Sequence, residues 1–234
     1  MSEKNNQRKT NWGDKIDSFN LEELLLRLIE KARDFIDEQN KYIVYGVIGV
    51  LSIAIAWGGW HWYSKKYEVN ATNYYMAIQQ KITSNPNIPQ QEMIAMLKDV
   101  VAKYPRSRVA GVANYGLGNI YYFSGNFDGA ISAYGEFVDR ASGDDDLAVI
   151  SCISMGFSYE AKKDYQNALL SYQKAEKMKS GANFASTNLQ NIARIYDISG
   201  DRTKATEYYK LALEKATEPI AKRIIQNKIG MLNQ

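Results

Sequence analysis

The chain has 234 residues but only one cysteine, one histidine and four prolines. A lone cysteine, Cys152, excludes an intramolecular disulfide, and His61 as the single imidazole leaves too few ligands for the usual zinc sites. Charge of one sign is missing too, with 29 Lys and Arg against 26 Asp and Glu and a formal net charge of +3. No basic stripe interleaved with aromatics is left to track a nucleic acid. Glycine-rich phosphate loops and nucleophile elbows are absent. The run Asp144, Asp145, Asp146 lacks the ligand alternation and central glycine of a calcium loop, so it reads as helix capping. Cys152 lies among Ile150, Ile153 and Met155, the setting of a buried apolar thiol, and no cation or second histidine stands beside it in sequence. His61 sits between Trp60 and Trp62 and reads as an interfacial side chain. These absences lead to an expectation of no enzymatic activity, no cofactor, no metal, no nucleic acid and no small-molecule substrate.

What is present begins with an apolar run, Tyr42 to Tyr63 (YIVYGVIGVLSIAIAWGGWHWY), without a formal charge if His61 is neutral. At ~1.5 Å per residue a helix of this length covers ~33 Å, against ~30 Å of bilayer hydrocarbon. Ile43, Val44, Val47, Ile48, Val50, Leu51, Ile53 and Ile55 fill its centre, while Tyr42, Tyr45, Trp57, Trp60 and Trp62 cluster at its ends. Amphipathic rings favour headgroup depth, so these five are the expected anchors of a transmembrane helix. No small-x-small site precedes Ser64, Lys65 and Lys66, which points to a permanent anchor rather than a cleaved signal. The upstream flank carries Arg27, Lys31, Arg33 and Lys41 and the downstream flank Lys65, Lys66 and Lys81, a slight lean toward a cytoplasmic N-terminus. Ahead of the run, Leu21, Leu24, Leu25, Leu28, Ala32, Phe35 and Ile36 share one helical face, with Asn20 and Glu23 as a capping pair. The residues before them are polar and read as disordered.

After the run, one spacing recurs: Gly118, Tyr121, Ala130, Tyr134; then Gly156, Tyr159, Ala168, Tyr172; then Ala193, Tyr196, Ala205, Tyr209. Small residues let two antiparallel helices approach, and an aromatic fills the space beside them. Between the paired helices lie GNFDGA (Gly125 to Ala130), KDYQNA (Lys163 to Ala168) and GDRTKA (Gly200 to Ala205), where Gly ends one helix and Asn or Asp caps the next. Lys163 departs from the glycine of the other two turns. Extra residues between units are expected in ASGDDD (Ala141 to Asp146) and SGAN (Ser180 to Asn183). Pro105 stops a helix running from about Pro89 to Tyr104, so this segment and the one after Tyr74 form a degenerate leading pair.

GLGNIYYFSGNFDGAISAY (Gly116 to Tyr134) resembles the tetratricopeptide repeat family, with its Leu-Gly pair, Tyr, Ala and second-helix aromatic. The resemblance implies an all-α helix-turn-helix solenoid. A short N-terminal segment, one anchor and repeats to the end are similar in layout to the YfgM-like family of bacterial inner-membrane proteins. That likeness implies periplasmic repeats, a cytoplasmic N-terminus, a role as an ancillary subunit of the SecYEG translocon, and partners among translocon subunits, periplasmic chaperones or exported polypeptides. A scaffold for another envelope assembly, such as a secretion or division complex, is the alternative.

The expected division is 1–19 as a disordered cytoplasmic tail, 20–41 as an amphipathic cytoplasmic helix and 42–63 as the transmembrane helix. Then follow 64–107 as a linking helix with the degenerate first repeat, 108–218 as three repeat units, and 219–234 as a capping helix. In the repeat family the first helices line the concave side, and positions at minus 6, minus 2 and plus 1 from each repeat tyrosine face it. Those are Tyr115, Asn119 and Tyr122; Ile153, Phe157 and Glu160; Gln190, Arg194 and Asp197. Such a groove suits a polypeptide with a hydrophobic stretch. Of the positions that clamp two carboxylates in cytosolic chaperone-binding members, only Asn119 matches. The aromatic end is either open to a partner or filled by the Tyr74 to Lys81 helix.

Overall fold

The structure is a computed structural model of the chain and describes residues 21–39, 41–141 and 145–233. Asn20, Ser142 to Asp144 and the 1–19 segment, which carry the expected tail, one capping partner and part of the ASGDDD loop, lie outside the described residues. Among the described residues ten α-helices follow in order: α1 (Leu21–Gln39), α2 (Lys41–Ser84), α3 (Gln90–Lys103), α4 (Arg108–Phe123), α5 (Phe127–Val138), α6 (Asp146–Ala161), α7 (Tyr165–Lys177), α8 (Ala185–Ile198), α9 (Arg202–Lys215) and α10 (Pro219–Leu232). No strand occurs among the described residues. The chain divides into two compact units, Met1–Tyr63 and Ser64–Gln234.

In the first unit, α1 carries the leucine face, with Leu24, Leu25 and Leu28 exposed. Glu23 pairs with Arg27 at 2.8 Å, one helical turn on. The Lys41–Ser84 helix contains a window of mean hydropathy 1.8 of which no residue is buried. Tyr42, Tyr45, Trp57, Trp60 and Trp62 are all exposed, and Trp57 stacks on His61 with ring centroids 5.8 Å apart.

In the second unit each helix packs on its neighbours in sequence, α3 on α4, α4 on α5, α5 on α6 and so on to α9 on α10. This nearest-neighbour pattern is that of a solenoid. Its core forms three apolar clusters, each spanning successive helices: one around Ile78, Leu97, Val100 and Leu117, one around Val149, Cys152, Tyr172 and Ile192, and one around Leu189, Tyr209 and Ile225. Side-chain caps start the helices where Ser, Asn or Asp precedes them. Ser107 accepts from the Ala110 amide, Asn126 from Gly129, Asp145 from Leu147, Asp164 from Asn167 and Asp201 from Lys204. Asp145 is the cap of α6, and Asp146, the first residue of that helix, accepts instead from Asn183, which lies just before α8. The extra residues between the second and third units form a 3-10 turn, Lys179–Phe184.

The repeated small residue has a direct steric cause. A Cβ at Gly118 would lie 2.6 Å from the Tyr134 ring, and one at Gly156 would lie 2.3 Å from the Tyr172 ring. Each second-helix tyrosine therefore rests on bare backbone of its first helix. The third unit has Ala193 at this place and still buries Tyr209.

The turns after the first helices are equally constrained. Gly125, Lys163 and Gly200 all have positive φ, at 78°, 61° and 84°. Lys163 thus adopts the glycine conformation despite its Cβ, and the second turn keeps the geometry of the others. An L-residue in this region costs roughly 1–2 kcal/mol, while the added unfolded-state freedom of glycine costs roughly 0.5–1 kcal/mol. The steric term wins.

Lys163→Gly is accordingly expected to raise unfolding stability by about 0.5–1 kcal/mol. Gly156→Ala should lower it by about 1–3 kcal/mol through forced displacement of Tyr172. Urea denaturation followed by helical circular dichroism measures both, and a neutral Gly156→Ala would remove the steric account.

Candidate protein-binding groove

Residues on one face of each first helix line up across the solenoid. On α4 the stripe runs Arg108, Val112, Tyr115, Asn119, Tyr122, on α6 Asp146, Ile150, Ile153, Phe157, Glu160, and on α8 the last residues are Thr187, Gln190, Arg194 and Asp197. Contacts between neighbouring first helices confirm the alignment. Asn183, just before α8, donates to Asp146 at 3.1 Å, and Arg194 of α8 forms an ion pair with Glu160 of α6.

Of the nine expected groove positions, eight are half-buried and one, Ile153, is 7% exposed and belongs to the core. Ile153 is thus a packing residue, because Val149 and Tyr172 close around it. Tyr115 packs on Tyr134 and Phe137, and Tyr122 on Phe123 and Phe127. Phe157 meets the Tyr172 ring edge-on at 5.8 Å. Gln190 donates to the Ser186 carbonyl at 3.3 Å within its own helix. Asp197 stands near Tyr209, whose phenol is raised first by burial and then by that carboxylate.

Two groove positions are bound from below by the repeat tyrosines. The Tyr134 hydroxyl donates to Asn119 Oδ1 at 2.7 Å, and the Tyr172 hydroxyl donates to Glu160. Burial of Tyr134 and Tyr172 obliges these hydroxyls to find protein acceptors. Glu160 then accepts two bonds from Arg194, whose Nη2 also reaches Asn191 Oδ1 at 3.2 Å. Glu160 and Arg194 therefore neutralise each other within the groove. Asn119, the single match to a carboxylate clamp, already has its oxygen engaged, and no clamp assembles. The Tyr74 end of α2 is held by α3, through Asp99, Tyr104 and Lys103, and no ring contact from it to Tyr115 or Tyr122 occurs among the described residues.

Sequence reasoning missed the bridge from Glu160 to Arg194. Its signal was available as opposite charges at plus 1 of one unit and minus 2 of the next. Phe123, 84% exposed beside Tyr122, was missed as well, since its position falls outside the three offsets.

A protein-family model described as a tetratricopeptide repeat-like domain matches residues 33–234. The chain belongs to the tetratricopeptide repeat-like family. Such domains are protein-binding modules, and the helix pairs just described are their repeats. Among solved structures, the crystal structure of MamA protein has 18% identity and a TM-score of 0.52, covering 70% of this chain and 85% of that one. A second MamA crystal structure gives 18% identity and a TM-score of 0.47, with 60% and 78% covered. The type III secretion translocator chaperone SycD of Yersinia enterocolitica gives 16% and 0.44, with 58% and 85% covered. At these identities the likeness is one of fold. No curated protein matches the sequence.

Cys152 is fully buried, and burial pushes its thiol up from 9.0 to about 11. No group of His, Cys, Asp or Glu able to hold a metal occurs among the described residues. Burial also raises the Tyr134 phenol from 10.0 to about 12, and Tyr172 is raised further by burial and its bond to Glu160.

These groups make stability fall at alkaline pH. The unfolded chain releases the protons at ordinary values while the folded chain holds them, so the stabilisation is complete below 9.0 and lost as pH rises through about 11 and 12. Thermal unfolding from pH 8 upward should show a falling midpoint, and Cys152→Ala should flatten the first part of that fall. A midpoint unchanged up to pH 11 would contradict it.

Proposed function

We propose that this chain is a membrane-anchored protein-binding module with periplasmic repeats. In this reading it is an ancillary subunit of the SecYEG translocon in a bacterial inner membrane and contacts exported chains or periplasmic chaperones. Residues 42–63 span the bilayer, 1–19 and 20–41 are cytoplasmic, 64–107 link the span to the repeats as a helix and leading pair, 108–218 are the three units and 219–234 the cap. The observation that carries the reading is the Lys41–Ser84 helix, whose apolar window has no buried residue. A helix apolar all round needs either a protein core or lipid, and the former is not supplied to it. Aromatic residues at both ends of the run fit interfacial anchoring. The translocon role is supported by the layout of tail, anchor and repeats and by membership of a protein-binding family.

Within the groove, the half-exposed rings of Tyr115, Tyr122 and Phe157 flank polar positions that are already paired. A partner therefore gains affinity by covering aromatic surface, and its charges find little to neutralise. That favours a hydrophobic stretch of an unfolded or emerging polypeptide over an acidic tail.

Carbonate extraction at high pH should leave the full chain in the membrane fraction, and deletion of residues 42–63 should release it. An introduced thiol, Ser124→Cys with Cys152→Ala, should react with an impermeant reagent once the outer membrane is opened. Photocrosslinking from Ile53 should capture translocon subunits. Labelling only after lysis of the inner membrane would reverse the topology, and crosslinks confined to other envelope proteins would overturn the translocon role. Tyr122→Ala should reduce crosslinking to exported chains severalfold with no loss of helix content.

A further inference from the structure

The repeat register continues beyond the third unit. Gly118, Gly156 and Ala193 are followed at the last spacing by Gly230, which places α10 as the first helix of a fourth unit. Burial supports the same alignment: Ala113, Ser151, Asn188 and Ile225 occupy one register position, and all four are buried. On this alignment the groove stripe of α8, Thr187, Gln190 and Arg194, continues on α10 as Ile224, Asn227 and Met231, with Ile220 one turn earlier.

Side chains that face a second helix in earlier units, Asn114 and Gly118 or Cys152 and Gly156, are buried, whereas their counterparts Gln226 and Gly230 are exposed. That side of α10 presents Gln226 and Gly230. The groove side is different. Ile220, Ile224 and Met231 are 68%, 51% and 63% exposed and form one stripe. Helical geometry sets Arg223 along one flank of this stripe and Lys228 along the other. Neither forms an ion pair among the described residues, and Pro219 to Leu232 contains no Asp or Glu.

We infer that the stripe Ile220, Ile224, Met231, bracketed by Arg223 and Lys228, docks an acidic amphipathic helix of a partner polypeptide. An apolar seam flanked by cations on both sides is complemented by an apolar seam flanked by carboxylates. A second copy of α10 is disfavoured as occupant, because an α10 pair would bring cations together with no carboxylate between them. The earlier rows differ from this row: Glu160 and Arg194 pair with each other, and Val112, Tyr115, Ile150 and Phe157 are half covered. The fourth row adds to the groove reading a surface that selects helix charge, and its test is separable from that reading.

The probe is a fluorescent synthetic helix with Leu at heptad a and d and Glu at e and g, titrated into the full chain in detergent micelles by anisotropy. Its counterpart with Lys at e and g is the control. The Glu helix should bind, and the Lys helix should bind at least about tenfold more weakly, equivalent to ~1.4 kcal/mol. Ile224→Asp, or Arg223→Glu with Lys228→Glu, should weaken the Glu helix by a similar factor, and circular dichroism should be unchanged because these side chains are exposed. Tyr122→Ala should leave this binding intact, so loss of the groove reading and loss of this one are told apart. Equal binding of both helices, no saturable binding, or wild-type affinity in Ile224→Asp overturns the proposal. So does a change of oligomeric state in Ile224→Asp, which would make a second copy the occupant.

Discussion

The solenoid depends on one close approach, the seating of a second-helix tyrosine on the bare backbone of its first helix. At Gly118 and Gly156 the ring lies where any Cβ would sit. Tyr134 and Tyr172 are large buried rings, and the missing side chains at Gly118 and Gly156 are what let them pack there. From that contact follow the paired helices, the turns with positive φ that connect them, and the stacking of each pair on the next.

The same contact ties the core to the groove. A tyrosine seated this deeply cannot leave its hydroxyl in water, so Tyr134 bonds Asn119 and Tyr172 bonds Glu160. Glu160 in turn holds Arg194 of the next unit. Groove residues are therefore anchored from beneath and from the side, which makes the surface stiff and reduces the entropy lost when a partner covers it. Its polar centre is spent on internal bonds. What remains for recognition is aromatic surface on α4 and, on α10, an apolar stripe between cations that form no ion pair among the described residues.

Much of this was legible beforehand because helix pairing leaves a periodic trace. The offsets of small and aromatic residues located the pairs, and Pro105, Gly125, Gly200 and the capping aspartates located their ends. Lys163 departs from the glycine of the other turns, yet the chain makes the same turn there, with positive φ at that position. Ile153 passed as a groove residue because offset alone cannot tell a half-buried side chain from one that Val149 and Tyr172 enclose. The α10 stripe was read as part of a cap because its isoleucines resemble any amphipathic helix until they are aligned with the groove rows of α4, α6 and α8.

Sequence alone determined that this is a chain of helix pairs with an uncharged apolar run ahead of them, because both properties are local: spacing along a helix and the absence of charge. Tertiary structure decided which of the facing residues are free to meet a partner. Whether Glu160 and Arg194 present charge or cancel it, and whether an isoleucine is core or surface, depends on what the neighbouring helix brings within a few ångströms. Distances between side chains far apart in the chain are fixed by packing, and no local pattern contains them.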